Sequence, residues 1–299
     1  MDEADFLKIL RTLPLHAGAA DLTDDTALLG DLILTKDLIA EGVHYLPTDP
    51  AADVAWKLLA VNLSDLAAKG AAPVGALLGY ALGDDAWDRD FLAGLDEACR
   101  ALACPLLGGD TIRTDGPRVV SLTAIGRAGA HVPVRSGARP GDALWVSGTI
   151  GDAALGLAIA RGEPGPVDLL AAYRRPRPLI EEGRALAAVA TAMMDVSDGL
   201  LIDAGRMAAA SGCGVTIDLA SVPRSPTAIA HAGASRAARL AAATGGDDYA
   251  LLFALSPDQV PPVSAVRIGA FAAGTGLSLT DDSERVPLPA SLGWEHRIG

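Results

Sequence analysis

Residues Lys57 to Pro73 read K-L-L-A-V-N-L-S-D-L-A-A-K-G-A-A-P. At about 100° per residue, Val54, Leu58, Val61 and Asp65 share one helical stripe, while Leu59, Leu63 and Leu66 take the opposite side. A helix apolar nearly all round is a buried helix. The carboxylate in its middle must then be paired, protonated or bound to a cation, because an isolated buried charge costs more than a helix can supply. Lys69, one turn later, is the only local partner, which makes Asp65 a candidate metal ligand. The question this stretch raises is which other carboxylates can meet it.

Outward toward the N-terminus, the spacing predicts a short amphipathic helix over Asp5 to Leu13 and a loop over Gly18 to Thr23. Asp24-Asp25 then enters an apolar segment, and Asp31 to Ile39 reads as a buried strand carrying Asp37. Glu41-Gly-Val-His44-Tyr45 continues as a turn. On the other side, Gly75 to Leu82 reads as a strand, Asp88 to Ala103 as a helix, and Leu106-Leu107 as a very short strand running into Gly108-Gly-Asp-Thr111. Two glycines before an acid let backbone approach a ligand while the carboxylate points at it. Arg118 to Gly126 is a further strand.

Glycine, proline and charge cluster over Arg135 to Asp142, which places a boundary between domains at 1–138 and 139–299. Beyond it, Ala143 to Val146 is a strand, and Ser147-Gly-Thr-Ile-Gly-Asp152 leads into an alanine-rich helix. That turn suits either a phosphate at a helix N-terminus or an ordinary strand-to-helix connection. Asp195-Val-Ser-Asp198 puts two acids at a strand-to-helix junction. A helix to Ser211, a strand at Val215 to Leu219, a helix around Ala228 to Ala243 and Thr244-Gly-Gly-Asp247-Asp248-Tyr249 follow. Ser64-Asp65 and Gly109-Asp110 are echoed by Ser197-Asp198 and Gly246-Asp247, which suggests duplication. The expected class is α/β, with two domains that both alternate strand and helix.

Composition narrows the functions. The chain has 299 residues, is 50% hydrophobic and carries a net charge of -13. Its mean hydropathy is +0.31 and its pI about 4.7. Nucleic acid and anionic membranes are disfavoured as partners, since both require a basic face, and any anionic substrate must be brought in by cations. No apolar run reaches the length of a membrane span and the start is acidic, so a soluble, cytoplasmic protein is expected. Cys99, Cys104 and Cys213 lack metal or redox spacing and read as free buried thiols.

No Walker lysine motif, dinucleotide fingerprint, nucleophile elbow or zinc spacing is present. What recurs is aspartate at element junctions: Asp25, Asp37, Asp65, Asp110, Asp195 and Asp198. Hard oxygen donors without histidine or thiolate clusters suit Mg²⁺, which keeps several waters and bridges to substrate phosphates. Phosphoryl transfer is the chemistry such an arrangement serves.

Asp24-Asp25-Thr-Ala, Thr35-Lys-Asp37 with Glu41-Gly-Val-His44, Asn62-Leu-Ser-Asp65, Gly108-Gly-Asp110-Thr, Arg135-Ser-Gly-Ala-Arg-Pro-Gly-Asp142, Asp195-Val-Ser-Asp198-Gly and Gly245-Gly-Asp-Asp-Tyr249, in this order, resemble thiamine-monophosphate kinase. The wider superfamily, with aminoimidazole ribonucleotide synthetase, selenophosphate synthetase and a hydrogenase maturation protein, shares the aspartates. The Glu-Gly-Val-His and final Gly-Trp-Glu-His segments point to the thiamine enzyme. The resemblance implies ATP-dependent conversion of thiamine monophosphate to thiamine diphosphate. It implies an N-terminal sheet domain that forms a barrel with a second copy in a homodimer, and an α/β C-terminal domain. By motif, Asp25, Thr35, Asp37, Asp65, Asp110, Asp195 and Asp198 would hold several Mg²⁺ ions. Gly109, Asp110, Arg135 and Ser197 would contact ATP, His44 and Asp247 the substrate, and Trp294 would pack on its rings, although plain C-terminal packing serves Trp294 equally well. Thr23 stands where glycine is usual, Lys36 where a hydroxyl is common, and Asp247 where the longer glutamate is usual; Lys36 can supply part of the charge of one metal site.

The acceptor is already a phosphate anion, so no acid or base residue is required, and alignment with charge neutralisation carries the rate. Direct in-line transfer without a phosphoenzyme is the expected mechanism. The alternatives are another synthetase of the superfamily and a non-catalytic nucleotide-binding protein. Selenophosphate synthesis is disfavoured because no cysteine precedes Cys99.

Overall fold

The computed structural model describes residues 3–114 and 116–295. After helix α1 (Glu3–Leu10) and a 3-10 segment (Ala17–Leu22), the first half builds β1 (Ala27–Leu29), β2 (Leu32–Ala40), α2 (Ala51–Ala68), β3 (Ala72–Leu82), α3 (Asp85–Ala101), β4 (Leu106–Arg113) and β5 (Val119–Arg127). Its sheet has the order β1-β2-β5-β3-β4, with only the β3/β4 pair parallel.

The alternation along β2 explains the site. Ile33, Thr35 and Ile39 are buried, and Asp37 shares their side of the strand because side chains repeat every second residue. That side faces α2, so two apolar anchors carry a hydroxyl and a carboxylate toward Asp65. The same alternation points Lys36 away from α2, and its ammonium donates to Ser121 Oγ while its side chain still lines the cleft. Helix α2 is buried over nearly its whole circumference, as its composition requires. It ends where Gly70 takes a left-handed φ of +61° and Ala71 N–H closes onto Leu66 O at 2.9 Å, a conformation a side chain would strain.

The second half contains β6 (Ala143–Ser147), α4 (Asp152–Ala160), α5 (Val167–Arg174), α6 (Ile180–Ala187), β7 (Ala192–Asp195), α7 (Leu200–Ala210), β8 (Gly214–Asp218), α8 (Pro226–Ala232), α9 (Arg236–Thr244), β9 (Leu251–Leu255), β10 (Val266–Ala272), β11 (Gly276–Asp281) and β12 (Glu284–Val286). The seven strands run β12-β11-β8-β10-β6-β9-β7. Each half has its own apolar core, and a third cluster joins them where Ala67 and Ala68 of α2 meet Leu186, Ala187, Met193, Leu251 and Phe253. The packing is tight enough that a Cβ on Gly183 of α6 would lie 2.0 Å from Ala67 O.

Four sequence expectations change. The very short strand expected at Leu106-Leu107 continues through Gly108-Gly-Asp-Thr as β4, because Gly109 permits close strand contact: a Cβ there would lie 2.0 Å from Leu78 O. The predicted helix over 228–243 is two helices, with Ser235 capping the second through Ala238 N–H at 3.2 Å. The echo between halves has no local counterpart, since Ser64-Asp65 lies mid-helix and Ser197-Asp198 in a loop. Helices α5 and α6 and the strands after Tyr249 were not foreseen. Cys104 and Cys213 are buried, Cys99 is half-buried, and all three are free thiols. Among the described residues no helix is long and apolar enough to cross a membrane.

Candidate active site

The carboxylates converge where β2, α2 and the end of β7 meet. Asp65 accepts a hydrogen bond from Thr35 Oγ1, and Asn62 Oδ1 on the preceding part of α2 accepts from Asp37 N–H at 3.1 Å. From the second half, Asp195 Oδ2 accepts from Ser64 Oγ at 2.6 Å. Lys69 does not serve Asp65: its buried ammonium pairs with Asp24 and Asp25. Arg135 pairs with Asp25 as well, and its backbone N–H donates to Asp24 at 3.3 Å.

Crowding shows in the protonation of these groups. Burial first, then Asp37, Asp195 and Asp25, raise Asp65 well above the ordinary carboxylate range. Burial and the nearby Asp25 push Asp37 up to about 6, and burial with Asp25 pushes Asp195 to about 8. Burial also acts to raise Asp25, but Lys69 and Arg135 outweigh it and hold that carboxyl below its usual value. Asp25 Oδ2 has the Lys69 ammonium at 3.2 Å and no other partner, and Arg135 Nε has none.

Asp24, Asp25, Thr35, Asp37, Asp65, Arg135 and Asp195 face one cleft of about 1050 Å³, lined also by Ser197, Asp198, Arg206 and, on its apolar side, Leu7, Leu10 and Leu22. Seven lining carboxylates stand against three basic side chains. Such a donor set fits hard divalent cations. Among the described residues no three His, Cys, Asp or Glu are grouped to hold a metal ion by themselves.

The neighbouring loops interlock. Asp247 N–H donates to Ser197 O at 2.8 Å and Tyr249 N–H to Val196 O at 2.8 Å. Asp247 Oδ2 meets Lys57 Nζ of α2 at 2.8 Å, and the same ammonium donates to His44 O at 3.1 Å. His44 Nδ1 accepts from Ala40 N–H at 3.1 Å, which leaves Nε2 as the protonated, donating nitrogen of the neutral ring. That disfavours a base role for His44 and suits an anion contact. The turn 147–152 is an ordinary connection: Gly151 N–H, the donor a phosphate would need, is taken by Asp248 Oδ1 at 2.8 Å.

The profiles of the AIR synthase related protein, N-terminal domain, and of its C-terminal domain match residues 23–128 and 139–261. A thiamine-monophosphate kinase from Caulobacter vibrioides is 42% identical over 98% of this chain and 90% of its own. The chain belongs to the thiamine-monophosphate kinase family. A family structure described as AaThiL complexed with AMPPCP and TMP superposes with a TM-score of 0.87 at 29% identity, covering 99% of this chain and 97% of its own. The thiamine-monophosphate kinase of Stenotrophomonas maltophilia gives 0.76 at 36% identity, covering 94% and 96%.

Against the residues expected from the family motifs, the structure gathers Asp25, Thr35, Asp37, Asp65, Asp195, Asp198, Arg135 and Ser197 around the cleft. His44 and Asp247 sit together beside it, joined by Lys57. Gly109 and Asp110 stand apart, exposed on edge strand β4. Trp294 is half-exposed and its backbone N–H donates to Asp198 O at 2.8 Å, so the tail crosses the start of α7; His296 lies outside the described residues. Sequence reasoning missed Asp203, whose buried carboxylate accepts Ser197 N–H and Asp198 N–H, both at 3.1 Å, and Arg206 Nη1 at 2.9 Å. It also missed Lys57 and Arg206. An acid in the first turn of α7, just after a motif loop, was the available signal for Asp203.

Proposed function

We propose that this chain transfers the γ-phosphoryl group of ATP to the phosphate of thiamine monophosphate, releasing ADP and thiamine diphosphate. The observation that carries the reading is the meeting of Asp25, Thr35, Asp37, Asp65 and Asp195 from separate elements in one cleft. Near-full-length identity of 42% to a named kinase favours it over the synthetases that share the aspartates.

Mg²⁺ held by Asp25, Thr35, Asp37, Asp65, Asp195 and Asp198 would neutralise the phosphates of both substrates and the charge that develops on transfer. The raised Asp37 and Asp195, crowded around Asp25 and Asp65, support that assignment. Arg135 and Ser197 face the nucleotide, while His44 Nε2–H and Asp247 orient the acceptor. A phosphate oxygen of the acceptor attacks in line, its bond to γ-phosphorus forms as the bond to the β,γ-bridging oxygen breaks, and the electron pair leaves with ADP. No side chain needs to take a proton.

The protein acts as a homodimer in this reading. Leu38, Leu77, Leu107, Ile112 and Val119 of the first sheet are exposed, and β4 leaves a long unpaired edge where a second copy can bury both. That copy would bring Gly109 to a nucleotide site, and Asp110 both to that nucleotide and to its Mg²⁺. A cytoplasmic location accords with the three free thiols.

Incubation with ATP, Mg²⁺ and thiamine monophosphate tests the reading: thiamine diphosphate should appear in step with ADP. ATP consumption indifferent to thiamine monophosphate sinks it. Inversion at a chiral γ-thiophosphate is the outcome expected of direct transfer, and retention would require a phosphoenzyme.

A further inference from the structure

We propose that Lys57 is the positioning residue of the acceptor site, the buried cation through which α2 holds both Asp247 and His44 in place. The inference rests on the acceptor role given to those two residues above. Lys57 is only 2% exposed. Its ammonium has three N–H bonds and three partners: Asp247 Oδ2 at 2.8 Å, His44 O at 3.1 Å and the face of Tyr173 with its centroid at 4.1 Å. No donor remains for a phosphate, so Lys57 acts on substrate through its neighbours.

What it holds would not stay in place unaided. Asp247 and Tyr249 have left-handed φ values of +67° and +50°, which an aspartate takes at small cost but a tyrosine adopts only where the surroundings enforce it. Asp247 is gripped on both oxygens, by Lys57 and by Tyr249 Oη–H at 2.9 Å, yet its side chain stays 30% exposed and can receive a ligand donor. Removing the ammonium leaves the carboxylate without its cation, frees the strained loop, and releases the carbonyl that anchors the His44 turn. Lys57 and His44 belong to the first half of the chain and Asp247 to the second, so one ion pair sets the spacing of the acceptor contacts across the domain boundary.

The test is steady-state kinetics of K57M, K57Q, D247N and the K57M/D247N pair, alongside thermal midpoints. Lys57→Met should raise the KM for thiamine monophosphate about tenfold or more while the KM for ATP stays within about twofold. The double variant should match the worse single variant, because the two side chains act as one unit. Equal changes in both KM values, a lowered midpoint with both KM values unchanged, or multiplicative effects in the pair would overturn the proposal. If Lys57→Met does not fold, Lys57→Gln, which keeps an N–H donor but not the charge, must show the same split in smaller degree, and its absence is equally decisive. Failure of the unaltered protein to form thiamine diphosphate would instead count against the kinase reading itself.

Discussion

Asp65 and its neighbours repel one another unless something cationic separates them. Asp65→Asn should therefore reduce thiamine diphosphate formation by on the order of 10³-fold or more while raising the thermal midpoint of the protein in EDTA. Loss of both activity and midpoint would mean Asp65 is structural. The pH dependence has a definite sign. Asp37, Asp203 and Asp195, raised to about 6, 7 and 8, keep protons in the folded state that the unfolded chain releases near pH 4. Stability in EDTA should thus fall as pH rises from about 4 to about 8, and be unaffected by these groups below that window. Mg²⁺ should flatten the slope by holding Asp37 and Asp195 ionised, which melting curves at pH 5 and 8 with and without the ion would show. At this scale the sequence exposed the acids but not their partners. Asp65 and Lys69 were adjacent on paper, whereas Lys69 turns to Asp24 and Asp25, a pairing across the fold that no local spacing encodes.

Among the elements, α2 was the most legible and the most constrained. Its apolar girth announced burial, yet not that α6 would press against its C-terminal turn. Gly183→Ala, with a Cβ 2.0 Å from Ala67 O, and Gly70→Ala, with one 2.3 Å from Ala187 Cβ, should each cost about 1–3 kcal/mol in urea unfolding. A neutral result would show that α2 and α6 can slide apart freely. Strand β4 runs well past the expected Leu106-Leu107 because its glycine pair, read as room for a ligand, admits close backbone at a sheet edge. Strand β9 was missed for the opposite reason. Leu251-Leu-Phe-Ala-Leu255 is buried on both faces and so lacks the alternation that reveals a strand.

For the molecule as a whole, the order of motifs identified the family, while the assignment of Gly109 and Asp110 to a nucleotide site still requires a second chain. Ile112→Asp, on the exposed strand that carries them, should halve the mass measured by light scattering and remove most activity although Ile112 lines no part of the cleft. A full-sized, active variant would argue that one copy suffices. The excess of acids over bases, 37 Asp and Glu against 24 Lys and Arg, was readable from composition alone, and it matches a cleft in which carboxylates outnumber basic groups.

Asn62, Leu63, Ser64 and Asp65 follow one another on α2 and look in four directions: to β2, into the first core, to Asp195 and into the cleft. A quarter-turn separates each from the next, so this tetrapeptide works as a compass whose points are soldered to different parts of the protein. Inserting or deleting a single residue upstream of it would swing every needle at once, and no change of side chain could bring them back. Drift in this lineage must therefore proceed by exchange at fixed length along α2, with insertions confined to the connections beyond its ends.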